Sequence, residues 1–141
     1  MGNLERLQET FSGDQFVKNA GITITAVDEE CVVCQMPIQK LHENNRGKVM
    51  GGAIFTLADF SASVAANLDA EGSTTITLQA NINFLSEAKG VVLYARASRI
   101  KKGRNTALHE VEITDELGTK VAKASITGYI LHEKGKIENR P

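Results

Sequence analysis

The sequence predicts a single α+β domain in which one long helix packs against a largely antiparallel sheet. Three observations favour this class. Residues 49–68 contain one ionisable side chain, residues 75–84 alternate between apolar and polar side chains, and three more strand candidates follow. One helix packed on a mostly antiparallel sheet is a stable two-layer arrangement for a chain of 141 residues.

The composition is typical of a globular domain and excludes several other classes of protein. Apolar residues make up 42% of the chain and charged residues 23%, which is too apolar for a disordered protein. With 16 basic and 17 acidic side chains, the formal net charge is −1. The chain therefore lacks the basic surplus that attracts nucleic acid or an anionic membrane surface, and we expect neither as a partner.

Residues 1–20 are predicted to form an N-terminal helical extension. Leu4, Leu7 and Phe11 recur at helical spacing, which predicts one amphipathic helix over residues 4–18. The segment has no apolar run of the kind that a secretion signal needs, and Arg6 stands where a myristoylation signal has Ser or Thr. We therefore expect a cytoplasmic protein without a lipid anchor.

Two short strands are predicted next, over residues 22–27 and Cys31–Pro37, on either side of an acidic turn. Cys31 and Cys34 lie three positions apart in the second strand, so their side chains should point to opposite faces. This geometry opposes a disulfide between them or a shared metal ion, and two reduced cysteines fit a cytoplasmic protein.

The segment 49–68 is predicted to be a helix that is buried on nearly all sides. A membrane span is disfavoured because the one ionisable residue of the segment, Asp59, lies near its middle. Placing this side chain at the centre of a bilayer would cost roughly 2.5–3.5 kcal/mol. Helical spacing predicts that seven residues face the sheet, namely Ile54, Leu57, Ala58, Ser61, Val64, Ala65 and Leu68.

Asp59 lies on a different face of this helix, about 140° around the axis from Ile54. That face carries small or uncharged residues instead of the Lys and Glu of a solvated surface, which indicates that something packs against it. A buried carboxylate held by a hydrogen bond and a functional carboxylate both fit this pattern. Gly51 and Gly52 begin the helix, where free N–H groups can bind negative charge or simply mark a turn into the helix.

The segment after the helix has a period of two. Apolar residues from Ile76 to Phe84 alternate with polar ones, which predicts a strand with one buried face and places Thr77 on the polar face. Further strands are expected over residues 91–100, 106–114 and 119–131, with turns at 101–104 and 115–118 and a loose polar tail at 132–141.

The chain carries a motif that reads Asn44-x-x-Gly47-x-x-Met50-Gly51-Gly52-x-x-x-x-Leu57-Ala58-Asp59. It resembles the signature of hotdog-fold acyl-CoA thioesterases of the phenylacetate-degradation type, N-x-x-G-x-x-H-G-G-x-x-x-x-L-x-D. The similarity covers residues 20–131, and the predicted order of elements agrees with the hotdog fold. The resemblance therefore implies an antiparallel sheet wrapped around one long central helix. The resemblance implies that residues 1–141 form a single hotdog thioesterase domain.

The resemblance also implies roles for individual residues. Asp59 matches the catalytic carboxylate, which acts either as a general base for water or as a nucleophile. Asn44 matches the residue that holds the thioester carbonyl or the attacking water, and Thr77 matches the Ser or Thr that orients this water. The backbone N–H of Gly51 matches the oxyanion donor.

One residue departs from the family pattern, because Met50 replaces the usual His. Methionine cannot hydrogen-bond as imidazole does, but the backbone oxyanion donor survives the change. Met50 and Gly52 stay predicted contacts of the substrate. His42 lies in the same loop at a different spacing, and we expect it to be solvated.

The turn formed by Lys101, Lys102, Gly103 and Arg104 is the densest basic cluster of the sequence. In the family a similar turn contacts the phosphates of coenzyme A, and a solvated hairpin turn with Gly at the bend is the alternative.

A distance argument predicts that two chains build one site. Gly51 and Asp59 are eight residues apart on one helix, which separates them by about 12 Å along the axis. A base and an oxyanion donor must both lie within about 3–3.5 Å of the reacting atoms, so one chain does not supply both. Two helices related by a two-fold axis would, and the family implies a homodimer or a dimer of dimers.

The predicted activity is hydrolysis of an acyl-coenzyme A thioester to the free acid and coenzyme A. No metal or cofactor is expected, since coenzyme A enters as part of the substrate. A hotdog hydratase of enoyl thioesters and a non-catalytic acyl-CoA binding protein are the alternatives. The hydratase class pairs an Asp with a His in its own signature, which Met50 and the G-G-x-x-x-x-L-x-D pattern oppose.

Overall fold

The computed structural model describes residues 2–69 and 74–132. Three α-helices, one short 3-10 helix (Lys40–His42) and six strands make up this part of the chain, and none of its helices is long and apolar enough to span a membrane. The predicted loose tail lies outside the described residues, apart from its first residue. The elements are α1 (Asn3–Thr10), α2 (Gln15–Asn19), β1 (Thr23–Val27), β2 (Cys31–Pro37), α3 (Gly51–Ala66), β3 (Thr74–Phe84), β4 (Val92–Lys102), β5 (Thr106–Asp115) and β6 (Lys120–Leu131).

The six strands form one sheet in the order β1-β2-β4-β5-β6-β3, and all neighbouring strands are antiparallel. Helix α3 packs across one face of this sheet, and apolar side chains such as Leu57, Val64 and Val111 are fully buried between the two layers. The predicted α+β class, with an antiparallel sheet around one long helix, is therefore confirmed. Strand β3 lies at one edge of the sheet and is 11 residues long.

The buried stripe predicted for the long helix is correct. All seven residues expected to face the sheet are buried, although α3 ends at Ala66 and Leu68 lies just beyond it. The cysteines also behave as expected. Cys34 is buried toward the helix, where burial raises the pKa of its thiol to about 12, and Cys31 points to the other face beside Ser98.

The single helix predicted over residues 4–18 is wrong, because the structure has two short helices there. Helix α1 ends before Gly13, and Asp14 begins α2 by accepting a hydrogen bond from the backbone N–H of Val17 (3.2 Å). A residue that caps a new helix has an extended backbone conformation, which interrupts the preceding helix.

The predicted alternation along β3 is wrong for the first half of the strand. Thr77 pairs with Gly128 and Gln79 pairs with Thr127, so Leu78 is an extra residue that forms a bulge. Because of this bulge, the residues before it point to the face opposite to the one that regular alternation predicts. Leu78 is therefore 59% exposed, and Thr77 lies on the side of α3 instead of on the outer polar face.

Candidate active site

Asp59 and Thr77 form a direct hydrogen bond between helix α3 and strand β3. The hydroxyl of Thr77 donates to Oδ1 of Asp59 over 2.7 Å. The second carboxylate oxygen of Asp59 accepts no hydrogen bond from residues 2–69 or 74–132, and the side chain is partly exposed. The carboxylate is thus fixed through one oxygen and has the other available for a water molecule or a reacting carbon.

The start of α3 presents backbone donors that the helix itself does not use. The backbone N–H of Met50 bonds to the carbonyl of His42, and the first turn of the helix closes when Ala53 and Ile54 bond to the carbonyl of Met50. The N–H groups of the first helical residues precede this turn and have no acceptor inside the helix. The N–H of Gly51 is therefore a donor at the positive end of the helix dipole.

Gly51 is packed tightly against the last residue of β3. A Cβ atom at position 51 would lie 3.2 Å from Cζ of Phe84, which is closer than nearly all real contacts of this kind. Glycine therefore lets the start of the helix approach the Phe84 ring, and a larger residue would require this half-exposed ring to shift.

Asn44 organises the loop that leads into α3. Its side-chain oxygen accepts hydrogen bonds from the backbone N–H groups of Arg46 (2.9 Å) and Lys48 (3.2 Å). Its amide nitrogen donates to no acceptor within the described part of the chain. An amide N–H can donate to the carbonyl oxygen of a thioester, so the predicted role of Asn44 fits its unused amide donor.

The donor groups and the carboxylate of Asp59 line two separate clefts. Asn44 and Gly51 line a cleft of about 620 Å³ between residues 43–49 and 84–91, which we call the donor cleft. Asp59 lines a second cleft of about 490 Å³ together with Phe55 and Phe60, which we call the carboxylate cleft. The two linings share no residue, so a single protomer does not bring the donors and the carboxylate into one cleft.

Met50 and Gly52, the other predicted substrate contacts in the motif, are exposed and line neither cleft. The side chain of Met50 is 56% accessible, and a Cβ at Gly52 would meet nothing within 4 Å. Both residues therefore lie on an open surface at the start of α3.

The predicted basic turn is shorter in the structure. Strand β4 continues through Lys102, and the turn closes when the N–H of Gly103 bonds to the carbonyl of Thr106 (2.8 Å). The ammonium of Lys102 lies 3.4 Å from the carboxylate of Asp69. The side chains of Lys101 and Arg104 are exposed and form no ion pair with the described residues.

A guanidinium also holds Asp69. Arg99 donates two hydrogen bonds to this carboxylate, at 2.9 and 3.1 Å, and this bonding is the largest cause of the lowered pKa of Asp69. Lys102 is therefore already partly neutralised by an acid, which makes it a weaker phosphate ligand than Lys101 and Arg104.

The expectation of a solvated His42 is wrong, since this side chain is 3% exposed. Its Nδ1 accepts from the backbone N–H of Gln39 (2.9 Å), and its Nε2–H donates to the carbonyl of Ala20 (2.7 Å). Both ring nitrogens are used to fasten the loop before α3 to the N-terminal segment. His42 is a structural residue and does not replace the missing family His.

Sequence reasoning missed the carboxylate that supports one wall of the donor cleft. Asp115 accepts backbone hydrogen bonds from Lys89 (2.8 Å) and Gly90 (2.9 Å) and also from the turn between β5 and β6. Burial alone would raise the pKa of Asp115, but the N–H groups of Lys89, Thr119 and Gly90 outweigh it and hold the pKa well below its usual range. Asp115 was a plain turn residue in the sequence, where nothing signals its contact with residues 89–90.

Another buried titratable side chain is His109, which lies on the inner face of β5. Burial, with a smaller contribution from Arg99, lowers its pKa to about 4, so the ring is neutral at physiological pH. Among the described residues no group of three or more His, Cys, Asp or Glu side chains is arranged to hold a metal ion.

Comparison with known proteins agrees with this architecture. The model of a family described as a domain of unknown function, DUF4442, matches residues 14–130. The crystal structure of thioesterase HI1161 from Haemophilus influenzae superposes with a TM-score of 0.85 at 28% identity, covering 94% of this chain and 92% of that one. The chain belongs to the DUF4442 family of hotdog-fold thioesterases. The resemblance inferred from the motif is thereby confirmed.

Two curated relatives named as thioesterases match this chain at a similar sequence identity. The chain is 28% identical over 113 residues to acyl-coenzyme A thioesterase PaaI of Escherichia coli, which covers 79% of each chain. It is 27% identical over 96 residues to mouse acyl-coenzyme A thioesterase 13, covering 67% of this chain and 69% of the relative.

Proposed function

We propose that the protein is an acyl-CoA thioesterase whose active site is shared by two protomers. The observation that carries this proposal is the division of groups between the clefts: Asn44 and Gly51 line the donor cleft, and Asp59 lines the carboxylate cleft. Pairing the donor cleft of one protomer with the carboxylate cleft of a second would complete two equal sites. The thioesterases PaaI and thioesterase 13 among its relatives support this chemistry.

The edge of the sheet supports a symmetric pair of protomers. Among the strands of residues 2–69 and 74–132, β3 has a neighbour on one side only, and its 11 residues leave a long row of backbone groups without a strand partner on the other side. Antiparallel pairing of two β3 strands about a two-fold axis would extend the sheet and place the two α3 helices side by side. The proposed assembly is a homodimer, and a dimer of dimers is the alternative that the family resemblance implies.

The proposed reaction uses the groups as follows. The carbonyl oxygen of the thioester accepts hydrogen bonds from the N–H of Gly51 and the side-chain amide of Asn44 in one protomer. Asp59 of the partner protomer takes a proton from a water molecule, while Thr77 holds the carboxylate in place. The water oxygen attacks the carbonyl carbon, the carbon–sulfur bond breaks, and the proton passes to the coenzyme A sulfur. Direct attack by Asp59 is the alternative route.

Exposed cations would hold the nucleotide part of coenzyme A. Lys101 and Arg104 are the cations of the basic turn that form no ion pair with the described residues, and Lys102 would add to them after release from Asp69. Met50 and Gly52 lie at the start of α3, where they would contact the substrate or the partner protomer. We place the activity in the cytoplasm, where Cys31 and Cys34 stay reduced.

The deciding experiment measures free thiol released from a panel of acyl-CoA substrates by the wild-type protein and by Asp59→Asn. Asp28→Asn serves as the matched control, because Asp28 is an exposed acid in the turn between β1 and β2. Thiol release by the wild type and the control, but not by Asp59→Asn, is the expected result. Loss of enoyl absorbance without thiol release would favour the hydratase, and binding without either reaction would favour the acyl-CoA binding protein.

A further inference from the structure

His109 carries a buried nitrogen atom that has no partner within the described part of the chain. The side chain is 2% exposed, and its Nε2 forms no hydrogen bond with residues 2–69 or 74–132. A buried polar atom without a partner costs free energy, and most such atoms in proteins are satisfied by another protein group or by an ordered water molecule. This nitrogen therefore indicates a bound molecule with which it shares a hydrogen bond.

His109 lines a small chamber between α3 and the sheet. The chamber has a volume of about 10 Å³. Small residues of α3, β5 and β6 leave this room, namely Ala62, Ala66, Ala107 and Gly128. The volume is about the room that one water molecule takes, and it excludes larger ligands. A single water molecule is thus the occupant that fits both the chamber and the unpartnered nitrogen.

The chamber also adjoins the hydrogen bond between Thr77 and Asp59, because Thr77 is part of its lining. The hydroxyl of Thr77 donates its one hydrogen to Oδ1 of Asp59 over 2.7 Å, so its oxygen is left as an acceptor. A water molecule in the chamber would donate one hydrogen to this oxygen. Its other hydrogen or a lone pair would satisfy Nε2 of His109, whichever ring nitrogen carries the proton.

Two further hydroxyl groups give this water enough partners. Ser63 and Thr75 line the same chamber, and their hydroxyl groups form no hydrogen bond with the described residues. It is the carbonyl of Ser63, and not its hydroxyl, that accepts from the side chain of Asn67 (2.8 Å). A buried water molecule typically forms about three hydrogen bonds, and the groups around the chamber supply them.

The ring of His109 is uncharged at physiological pH. Burial and, to a smaller extent, the guanidinium of Arg99 lower its pKa to about 4. Arg99 is paired with His109 across β4 and β5, and two hydrogen bonds hold it to Asp69. His109 therefore offers a hydrogen bond to the water without adding a positive charge behind Thr77.

We infer that His109 is a positioning residue for the proposed reaction: it holds one water molecule that fixes the hydroxyl of Thr77 and, through Thr77, the carboxylate of Asp59. The inference rests on the proposed function, because the orientation of Asp59 affects turnover only if Asp59 takes part in the reaction. A hydroxyl that accepts a hydrogen bond is also a stronger donor, since linked hydrogen bonds polarise one another. Strand β5 thereby contributes to the site although none of its residues reaches the substrate.

Two variants separate the hydrogen bond of His109 from its bulk. His109→Leu keeps a side chain of similar size without a polar atom, and it should lower kcat about tenfold with KM within about twofold of wild type. His109→Gln places an amide near the position of Nε2 and should recover kcat to within about threefold of wild type. In a Thr77→Val background, His109→Leu should change kcat by less than about twofold, because the hydroxyl through which it acts is already absent.

Val111→Ala is the matched control for lost packing. Val111 is fully buried on the same face of β5 but does not line the chamber, so this variant should lower the denaturant midpoint and leave kcat unchanged. His109→Leu should keep the midpoint close to wild type. An equal loss of kcat in His109→Leu and His109→Gln, or the full tenfold loss in the Thr77→Val background, would overturn the positioning role.

A high-resolution crystal structure tests the water molecule without any turnover. We expect an ordered water within hydrogen-bond distance of Nε2 of His109 and of the Thr77 hydroxyl in the wild type, and none there in His109→Leu. A dry chamber in the wild type would overturn the inference. A wild type that holds this water but releases no thiol from acyl-CoA would contradict the proposed hydrolysis and leave the water site assigned.

Discussion

The hydroxyl of Thr77 reaches Oδ1 of Asp59 at 2.7 Å because strand β3 carries one extra residue at Leu78. Without this bulge the side chains of Thr77 and Ala80 would point to opposite faces of the sheet. With it, both face α3, and Leu78 is turned outward. A local irregularity in the sheet thus positions a polar side chain beneath the helix.

Removing the Thr77 hydroxyl should impair turnover more than binding. In Thr77→Val the shape is nearly kept, but the carboxylate of Asp59 loses its donor and is free to rotate, so we expect kcat to fall about tenfold with KM within about twofold of wild type. Thr77→Ser should recover most of the activity. The half-buried Thr127 of β6 provides the control, and an equal effect of Thr127→Val would contradict a specific role for Thr77.

Asp59→Asn should abolish turnover and preserve the fold. The amide is close to the carboxylate in size but cannot take a proton from water, so kcat should fall by at least about 10²-fold, the lower end for a general base. Steady-state thiol release measures the loss of turnover. Calorimetry with S-octyl-CoA, a thioether that cannot be hydrolysed, measures binding, which should persist. Wild-type rates in this variant would remove Asp59 from the mechanism.

Mixed dimers test the shared site directly. Asp59→Ala and Asn44→Ala chains should each be nearly inactive alone. When equal amounts are unfolded together and refolded, about half of the dimers are mixed, and each mixed dimer has one site with both defects and one with neither. Activity should therefore recover to about a quarter of the wild-type value. Mixed dimers that are present by native mass spectrometry but remain inactive would place both residues in one chain's site.

Neutralising the exposed cations of the basic turn should weaken binding of the nucleotide. In the double variant Lys101→Ala and Arg104→Ala we expect KM for acyl-CoA to rise more than kcat falls, because contacts to phosphate act equally on the ground state and the transition state. Acyl-pantetheine, which lacks the nucleotide, should show a smaller effect. Lys120→Ala, an exposed lysine at the start of β6, is the control. Equal changes in KM for both substrates would show that the turn does not contact the nucleotide.

Asp115 should make stability depend on acid pH. Its pKa is lower in the folded chain than its ordinary value of 3.8, so the stability that it contributes is present above that value and is lost as the pH falls through the folded pKa. The denaturant midpoint of the wild type should therefore fall steeply below about pH 4, and Asp115→Asn should be less stable at pH 7 with a flatter acid profile. Glu112→Gln, an exposed acid of the same strand, should follow the wild type.

The sequence predicts the long helix and the order of strands because burial requires long apolar periodicities there. A lone carboxylate in an uncharged segment identified Asp59, and the spacing from Gly51 predicted two separated half-sites. The break before α2 was readable from Gly13 and Asp14, a pair that favours a stop followed by a cap. The bulge at Leu78 was not, since the residues alternate through it as they would in a regular strand. The burial of His42 and the bonds of Asp115 depend on contacts between distant segments, which no local pattern contains.

Strand β3 supports both halves of the proposed site at once. Thr77 near its beginning holds Asp59, and Phe84 at its end packs on Gly51, with roughly 20 Å of strand between them. In the proposed dimer the same strand would thus serve the base of one site and the oxyanion donor of the other. Its length acts as a fixed spacer: inserting or deleting one residue between positions 79 and 83 would shift Phe84 or Thr77 to the opposite face. Such a change would damage both sites of the pair even though it removes no reacting group.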